Sequence, residues 1–413
     1  MNEGLLWRRD ILSNGIRVLL FPRLSDLTMQ LAVAVEYGSN TDPGDAAGTA
    51  HFLEHMLAGG SAKRIDLSRD IERLGGSSDF ITTNEYTICI ADMVPEKITK
   101  TSHILSELVF DSSFEQEKFE LERKIILNEI TEISDNPYEK VIEILQRCLF
   151  KTHPVKLPIE GTCKTVNKLS LNRIVEGHHT HYTPQNMILI LTGKFSDKDI
   201  ETVLQDFSDK RNQKPASKKG YYLETGKPKK EITLKRPGIQ ETYMSMGVRT
   251  VPAKHPDTPT IDLINTLIGS NTSSRLFIEL REKRGLAYSI HSSHEYGTDY
   301  GYFHIDYAIK RKNLEKTLNL IHKEVDRIKT EKVSENELNQ SKDMIKGEIF
   351  RSLDNPSDYP EILVQMEMWF NSNKAILDYF EKIDAVTTDK IRRTANKYLG
   401  KESFSTAILT PNV

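Results

Sequence analysis

Glu129-Ile130 followed by Asp135-Asn136-Pro137 recurs as Glu348-Ile349 followed by Asp354-Asn355-Pro356, an E-I-x4-D-N-P pattern displaced by 219 residues in a chain of 413. A displacement close to half the chain predicts a duplicated domain, with each copy of the pattern closing a long helical run. Length agrees, because 413 residues exceed one ordinary domain and suit two of about 200. In the first half, strands are expected at Ile16 to Phe21, Gln30 to Tyr37, Tyr86 to Ala91 and Met187 to Thr192, alternating with helices. In the second, strands near Glu231 to Lys235, Thr242 to Val248, Ala287 to His294 and Tyr302 to Ile309 precede three long helical runs between Asn313 and Phe370. The expected class is α+β, with two duplicated domains, each a mainly antiparallel sheet with helices on one side. Ser208 to Lys230 is polar, Lys-rich and broken by Pro and Gly, which reads as a linker. The predicted division is therefore 1–215, a linker at 216–230, and 231–413.

Composition excludes several classes. Hydrophobic residues make up 38% and charged residues 28%, the balance of a soluble globular protein. A net charge of −3 with no long basic block argues against a nucleic-acid groove. The longest apolar runs, Val18 to Phe21 and Met187 to Leu191, are strand-sized and too short to span a membrane. The N-terminus has charges on both sides of a short apolar patch and no small-residue cleavage pattern, so it reads as mature sequence entering a hairpin at Asn14-Gly15. Cys89, Cys148 and Cys163 lack metal-ligand spacing and read as reduced, buried thiols of a cytoplasmic protein.

The chemistry lies in His51-Phe52-Leu53-Glu54-His55. On a helix, residues four apart stand one above the other with Cβ atoms roughly 5–6 Å apart, so two imidazoles can converge on one ion. With a third protein ligand, zinc keeps one open position, where it lowers the pKa of a water to about 7 and a neighbouring glutamate can take the proton. The helix is expected over Thr49 to Ala58, with Ala50, Leu53, Leu57 and Ala58 as its apolar stripe and Gly59-Gly60 as its stop. The third ligand belongs on another element. The helical run from Phe114 to Ser134 offers Glu122, Glu129 and Glu132 on one face, and spacing does not choose among them. His178-His179-Thr180-His181 stands before the strand entry at Tyr182 to Met187 and is read as non-metal.

GTAHFLEHMLAGG, GGSSDFITTNEYT and LERKIILNEITEISDNPYEK together resemble the pitrilysin and mitochondrial processing peptidase family of inverted-motif (H-x-x-E-H) zinc peptidases. The resemblance runs nearly end to end. It implies one zinc ion per chain held by His51, His55 and Glu129, the last residue of an E-R-x5-E pattern that begins at Glu122-Arg123. It implies Glu54 as general base and Glu122 as a carboxylate orienting a ligand histidine. Arg281 to Tyr288 is similar to the family's R-x6-Y element, which implies that Arg281 binds the peptide and Tyr288 donates to the oxyanion. Where homologues have Asn-Ala at the strand that receives the peptide, this chain has Ser77-Ser78-Asp79-Phe80. Phe80 there is expected to narrow a subsite and Asp79 to favour basic side chains, unless both point away.

The resemblance implies a zinc endopeptidase or oligopeptidase acting on extended peptides in a clamshell chamber, of which this chain forms half. A second chain is expected to complete it, first as a homodimer and alternatively as a heterodimer with a related chain lacking the zinc motif. A non-catalytic structural or binding subunit is the rival of another class. Within the peptidase class, broad oligopeptide clearance competes with dedicated maturation of one precursor.

Overall fold

The strand pattern of the first half forms a six-stranded sheet of β1 (Arg8–Ile11), β2 (Arg17–Pro22), β3 (Met29–Val35), β4 (Ser77–Thr82), β5 (Thr87–Met93) and β6 (Met187–Gly193), in the order β1-β2-β6-β3-β5-β4. The computed structural model describes residues 5–58, 67–208 and 222–412; the stop expected at Gly59-Gly60 and linker residues 216–221 lie outside the described residues. Asn14-Gly15 makes the expected hairpin. Gly15 takes a φ of 99°, and the Leu12 N–H donates to the Ile16 carbonyl at 2.8 Å as β1 turns back antiparallel to β2. The central strands MQLAVAV and MILILTG are buried along their whole length, as strands covered on both faces must be.

A five-stranded sheet in the second half holds β7 (Glu231–Arg236), β8 (Thr242–Arg249), β9 (Ile290–Tyr296), β10 (Gly301–Ile309) and β11 (Ser405–Pro411), ordered β7-β11-β8-β10-β9. Without β1, the two orders correspond strand for strand. Each sheet has one parallel pair, β2 with β6 and β7 with β11, and is otherwise antiparallel. The duplication expected from a short repeated pattern is thus present in the topology.

Each sheet buries one face under its main group of helices. In the first, Leu31, Val33, Leu189 and Leu191 join a core with Phe52, Leu105 and Ile174 from helices. In the second, Phe303, Ile305 and Tyr307 pack with Leu263, Ile321 and Ile391. Among the described residues, the opposite face of each sheet carries a helix that comes from the other half of the sequence. Val141, Ile144 and Leu145 of the helix Pro137–Leu149 pack with Tyr302, Ala407 and Leu409 of the second sheet. The helix Tyr359–Phe370 packs on β3 and β6, with Tyr359 edge-on to Phe21 at 5.4 Å.

The chain therefore divides into two compact units that are discontinuous in sequence: Met1–Thr131 with Leu157–Gly220 and Arg351–Ile376, and Glu132–Lys156 with Tyr221–Phe350 and Leu377–Val413. This differs from the continuous division 1–215 and 231–413. The physical reason is that residues 132–156 and 351–376 bury their apolar faces on the other half's sheet. Both exchanged segments begin beside the repeated D-N-P, where Asn136 caps the helix Pro137–Leu149 by accepting from the Tyr138 N–H at 3.0 Å.

Candidate active site

The helix Thr49–Ala58 is set by packing at both ends. At its start the carboxylate of Asp42 accepts from the backbone N–H groups of Gly48 at 3.0 Å and Ala50 at 3.2 Å, and from the Tyr37 hydroxyl at 2.9 Å. Burial pushes Asp42 up to about 7, against the pull of these donors. Gly48 (φ 95°) has to be glycine, since a Cβ there would stand 2.4 Å from the Glu160 carbonyl oxygen. At the helix end the Lys118 ammonium donates to the Met56 carbonyl at 2.8 Å.

The helix Gln116–Asp135 buries Phe119 and Ile126, two turns apart, and so presents Glu122 and Glu129 to the same neighbour. Phe119 stacks on Phe52 at 4.6 Å and fixes the approach of the two helices. Among the described residues, His51, His55 and Glu129 are the one group able to hold a metal ion, with a ligand atom from each lying within 4.8 Å of the others. His51 Nε2 stands 3.6 Å from Glu129 Oε1, and His55 Nε2 stands 3.5 Å from Glu129 Oε2. Both separations exceed a charge-assisted hydrogen bond of about 2.7–2.9 Å. They match donor atoms sharing an ion, because atoms set tetrahedrally about 2.0–2.2 Å from zinc stand about 3.3–3.6 Å apart. The donor set of two imidazoles and one carboxylate also fits zinc.

Glu122 meets His55 from behind, its Oε2 3.1 Å from Nδ1, which turns Nε2 towards Glu129. Glu132, the remaining candidate from the sequence, is exposed and outside this group. Burial, reinforced by the neighbouring His55, pushes His51 down to about 4, so it is neutral at physiological pH. Burial disfavours charge on His55 as well, but Glu122 and Glu129 outweigh it and raise His55 to about 9. Contact with His55 holds Glu129 below its ordinary value. A proton held on His55 would compete with any metal for this site, so uptake there would be coupled to pH.

Glu54 is 8% exposed beside the pair, and burial raises its pKa. Thr82 on β4 donates to its Oε2 at 2.7 Å and pulls the pKa back. Sequence reasoning missed Thr82, although it shares a strand face with Ser78 and Phe80 and so points where they do. Asp42 was missed too, because it lies eight positions before Ala50, whose helical N–H it caps, and no capping motif results. Phe80 packs on the first core, while Asp79 is exposed and accepts from the Phe80 N–H at 2.9 Å. Both lie on β4, which ends its sheet, and no strand is paired to its outer edge among the described residues.

Arg281 and Tyr288 belong to the second unit. Arg281 lies in the last turn of a short π-helical segment, Phe277–Glu282, and its guanidinium lies 4.8 Å from the Phe277 ring and 4.9 Å from the Tyr288 ring. The Leu286 N–H donates to the Leu280 carbonyl at 2.9 Å and Gly285 takes a φ of 55°, so this turn delays β9 to Ile290, past the Ala287 expected from sequence. Tyr288 is left outside the strand and 82% exposed. Among the histidines set aside as non-metal, His178 is buried with Nε2 2.9 Å from the Val109 carbonyl oxygen, and His181 stacks on Tyr37. All three cysteines are unpaired; Cys89 and Cys148 are buried as expected, but Cys163 is exposed because it opens a short surface helix. No helix among the described residues is long and apolar enough to cross a membrane.

Residues 18–163 match the model of the insulinase family (peptidase family M16), and residues 168–345 match the model of the peptidase M16 inactive domain. An uncharacterized zinc protease of Bacillus subtilis, YmxG, is 24% identical over 410 residues, covering 98% of each chain. The mitochondrial-processing peptidase subunit beta of Mus musculus is 26% identical, over 97% of this chain and 83% of its own. In fold, the chain is similar to a protease from Helicobacter pylori, with a TM-score of 0.89 at 22% identity over 98% of this chain and 99% of that one.

Proposed function

The chain belongs to the M16 peptidase family, and from that premise we propose that it is a zinc-dependent endopeptidase or oligopeptidase for extended peptides. The observation that carries the reading is the convergence of His51, His55 and Glu129 on one point with Glu54 beside them. His51, His55 and Glu129 would hold one zinc per chain, and Glu122 would orient His55 from behind. Zinc bound there supplies a Lewis acid for the peptide carbonyl and acidifies a water to about pKa 7.

The chain's own residues do the rest. Glu54 accepts the proton of the attacking water and returns it to the leaving amine, a role its raised pKa suits. The open edge of β4 receives the peptide as an added strand, using main-chain groups whatever the side chains. Tyr288 donates to the developing oxyanion and Arg281 binds peptide carbonyls; the exposure of the Tyr288 phenol supports that assignment. A second chain, first a second copy of this one, completes the enclosure around the peptide. A relative named as a subunit supports assembly in general. A cytoplasmic location belongs to the same proposal.

The test is hydrolysis of a quenched fluorescent peptide library by the zinc-loaded chain, with Glu54→Gln as control. The expected result is about one zinc per chain in both proteins and a rate at least about 100-fold lower in the variant. Zinc uptake with no peptide cleaved, or a variant as fast as the parent, would sink the reading.

A further inference from the structure

Resting on the peptidase reading above, we propose that Thr82 is the positioning residue for Glu54, holding one carboxylate oxygen so that the other is presented to the attacking water. Thr82 Oγ1 donates to Glu54 Oε2 at 2.7 Å, and the other Glu54 oxygen makes no hydrogen bond among the described residues. The direction of the contact follows from counting protons. Thr87, directly opposite Thr82 on β5, lies 3.3 Å away hydroxyl to hydroxyl, but donates its one proton to the Tyr37 carbonyl at 2.9 Å. Thr82 therefore has its own proton free for the carboxylate, with Thr87 standing behind it.

Two features make this a rigid support. A β-branched threonine on a strand is stiff at χ1, so the hydroxyl has little freedom to swing away. Thr82 is 8% exposed and Glu54 equally so, which keeps water from substituting for the hydroxyl. The contact also joins two elements with different tasks. Glu54 rides on the helix that carries both histidines, whereas Thr82 rides on β4, the strand with the open edge. A peptide added along β4 thus lies on the same strand that holds the base, and its reach to Glu54 is set by one strand position. A general base misplaced by an ångström loses much of its rate, so the hydroxyl acts on turnover and not on peptide affinity.

The experiment compares Thr82→Val, which keeps the shape and removes the hydroxyl, with Thr82→Ser, which keeps the hydroxyl. Zinc-loaded Thr82→Val is expected to lose about 10–100-fold in kcat, with KM and zinc stoichiometry within about twofold, and Thr82→Ser to recover to within about threefold. A second readout needs no metal. In thermal unfolding of the metal-free protein, Thr82→Val and Glu54→Leu are expected to shift Tm non-additively, because each removes one end of the same contact. Additive shifts, an unchanged kcat in Thr82→Val, or loss of zinc by that variant each overturn the proposal. A parent chain that takes up zinc and cleaves nothing defeats the peptidase reading and the role with it, while a non-additive cycle would still establish the contact.

Discussion

His55 is held between two carboxylates with different tasks, Glu122 at its back and Glu129 at its front. Glu122→Ala is expected to weaken zinc binding about 10–100-fold, as removal of such a partner does elsewhere, while Glu132→Ala leaves it unchanged; competition against a chelating dye measures both. Equal effects would mean that Glu122 acts only through general charge. Asp42 gives a prediction in pH. Its pKa is raised from 3.8 to about 7 in the folded chain, so the stability it contributes is full below about pH 4 and is lost as pH rises through about 7. Thermal unfolding of the metal-free protein between about pH 5 and 8 should therefore fall less steeply for Asp42→Asn, and parallel curves would place the titration elsewhere. Residue spacing made His51, Glu54 and His55 legible, because four positions on a helix bring two imidazoles together. It left Glu122, Glu129 and Glu132 equivalent, because all three share a face and only their depth against the neighbouring helix separates them.

Among the elements, the exchanged helix Tyr359–Phe370 shows what docking requires. Its buried stripe is Tyr359, Leu363, Val364 and Glu367, an apolar face interrupted by a carboxylate. Glu367 is completely buried as a side chain and is held bidentately by Arg9, Nε to Oε2 at 2.7 Å and Nη2 to Oε1 at 2.8 Å. Arg9→Ala leaves a buried charge without its partner and is expected to destabilise the first unit by about 3–5 kcal/mol. Adding Glu367→Gln should recover part of that loss in denaturant unfolding, and no recovery would show that Arg9 acts by packing instead. The eight strands given ranges from the sequence were legible to within a few residues, because short apolar runs bounded by turn residues report buried strands directly; β1, β4 and β11 were given no range. The destination of the two exchanged helices was not, since an amphipathic pattern states that a face is buried and not which sheet buries it.

For the molecule as a whole, two units share one strand order but differ at the site. The group His51, His55 and Glu129 lies on the first copy, and the helix Thr258–Ile268 of the second contains no histidine. If a second copy completes the enclosure, analytical ultracentrifugation at micromolar concentration should show a dimer whose dissociation removes activity. A monomer that cleaves peptides at full rate would exclude that assembly. The sequence by itself determined the class, the duplication and the histidine pair, because each is written in local spacing: a repeat near half the chain, strand-sized apolar runs, and two residues one helical turn apart. Tertiary structure alone decided which glutamate faces which imidazole nitrogen, that Thr82 holds Glu54, and that each half lends a helix to the other. These depend on contacts between residues far apart in the chain, where packing depth and hydrogen-bond partners are set by the fold and leave no periodic trace in the sequence.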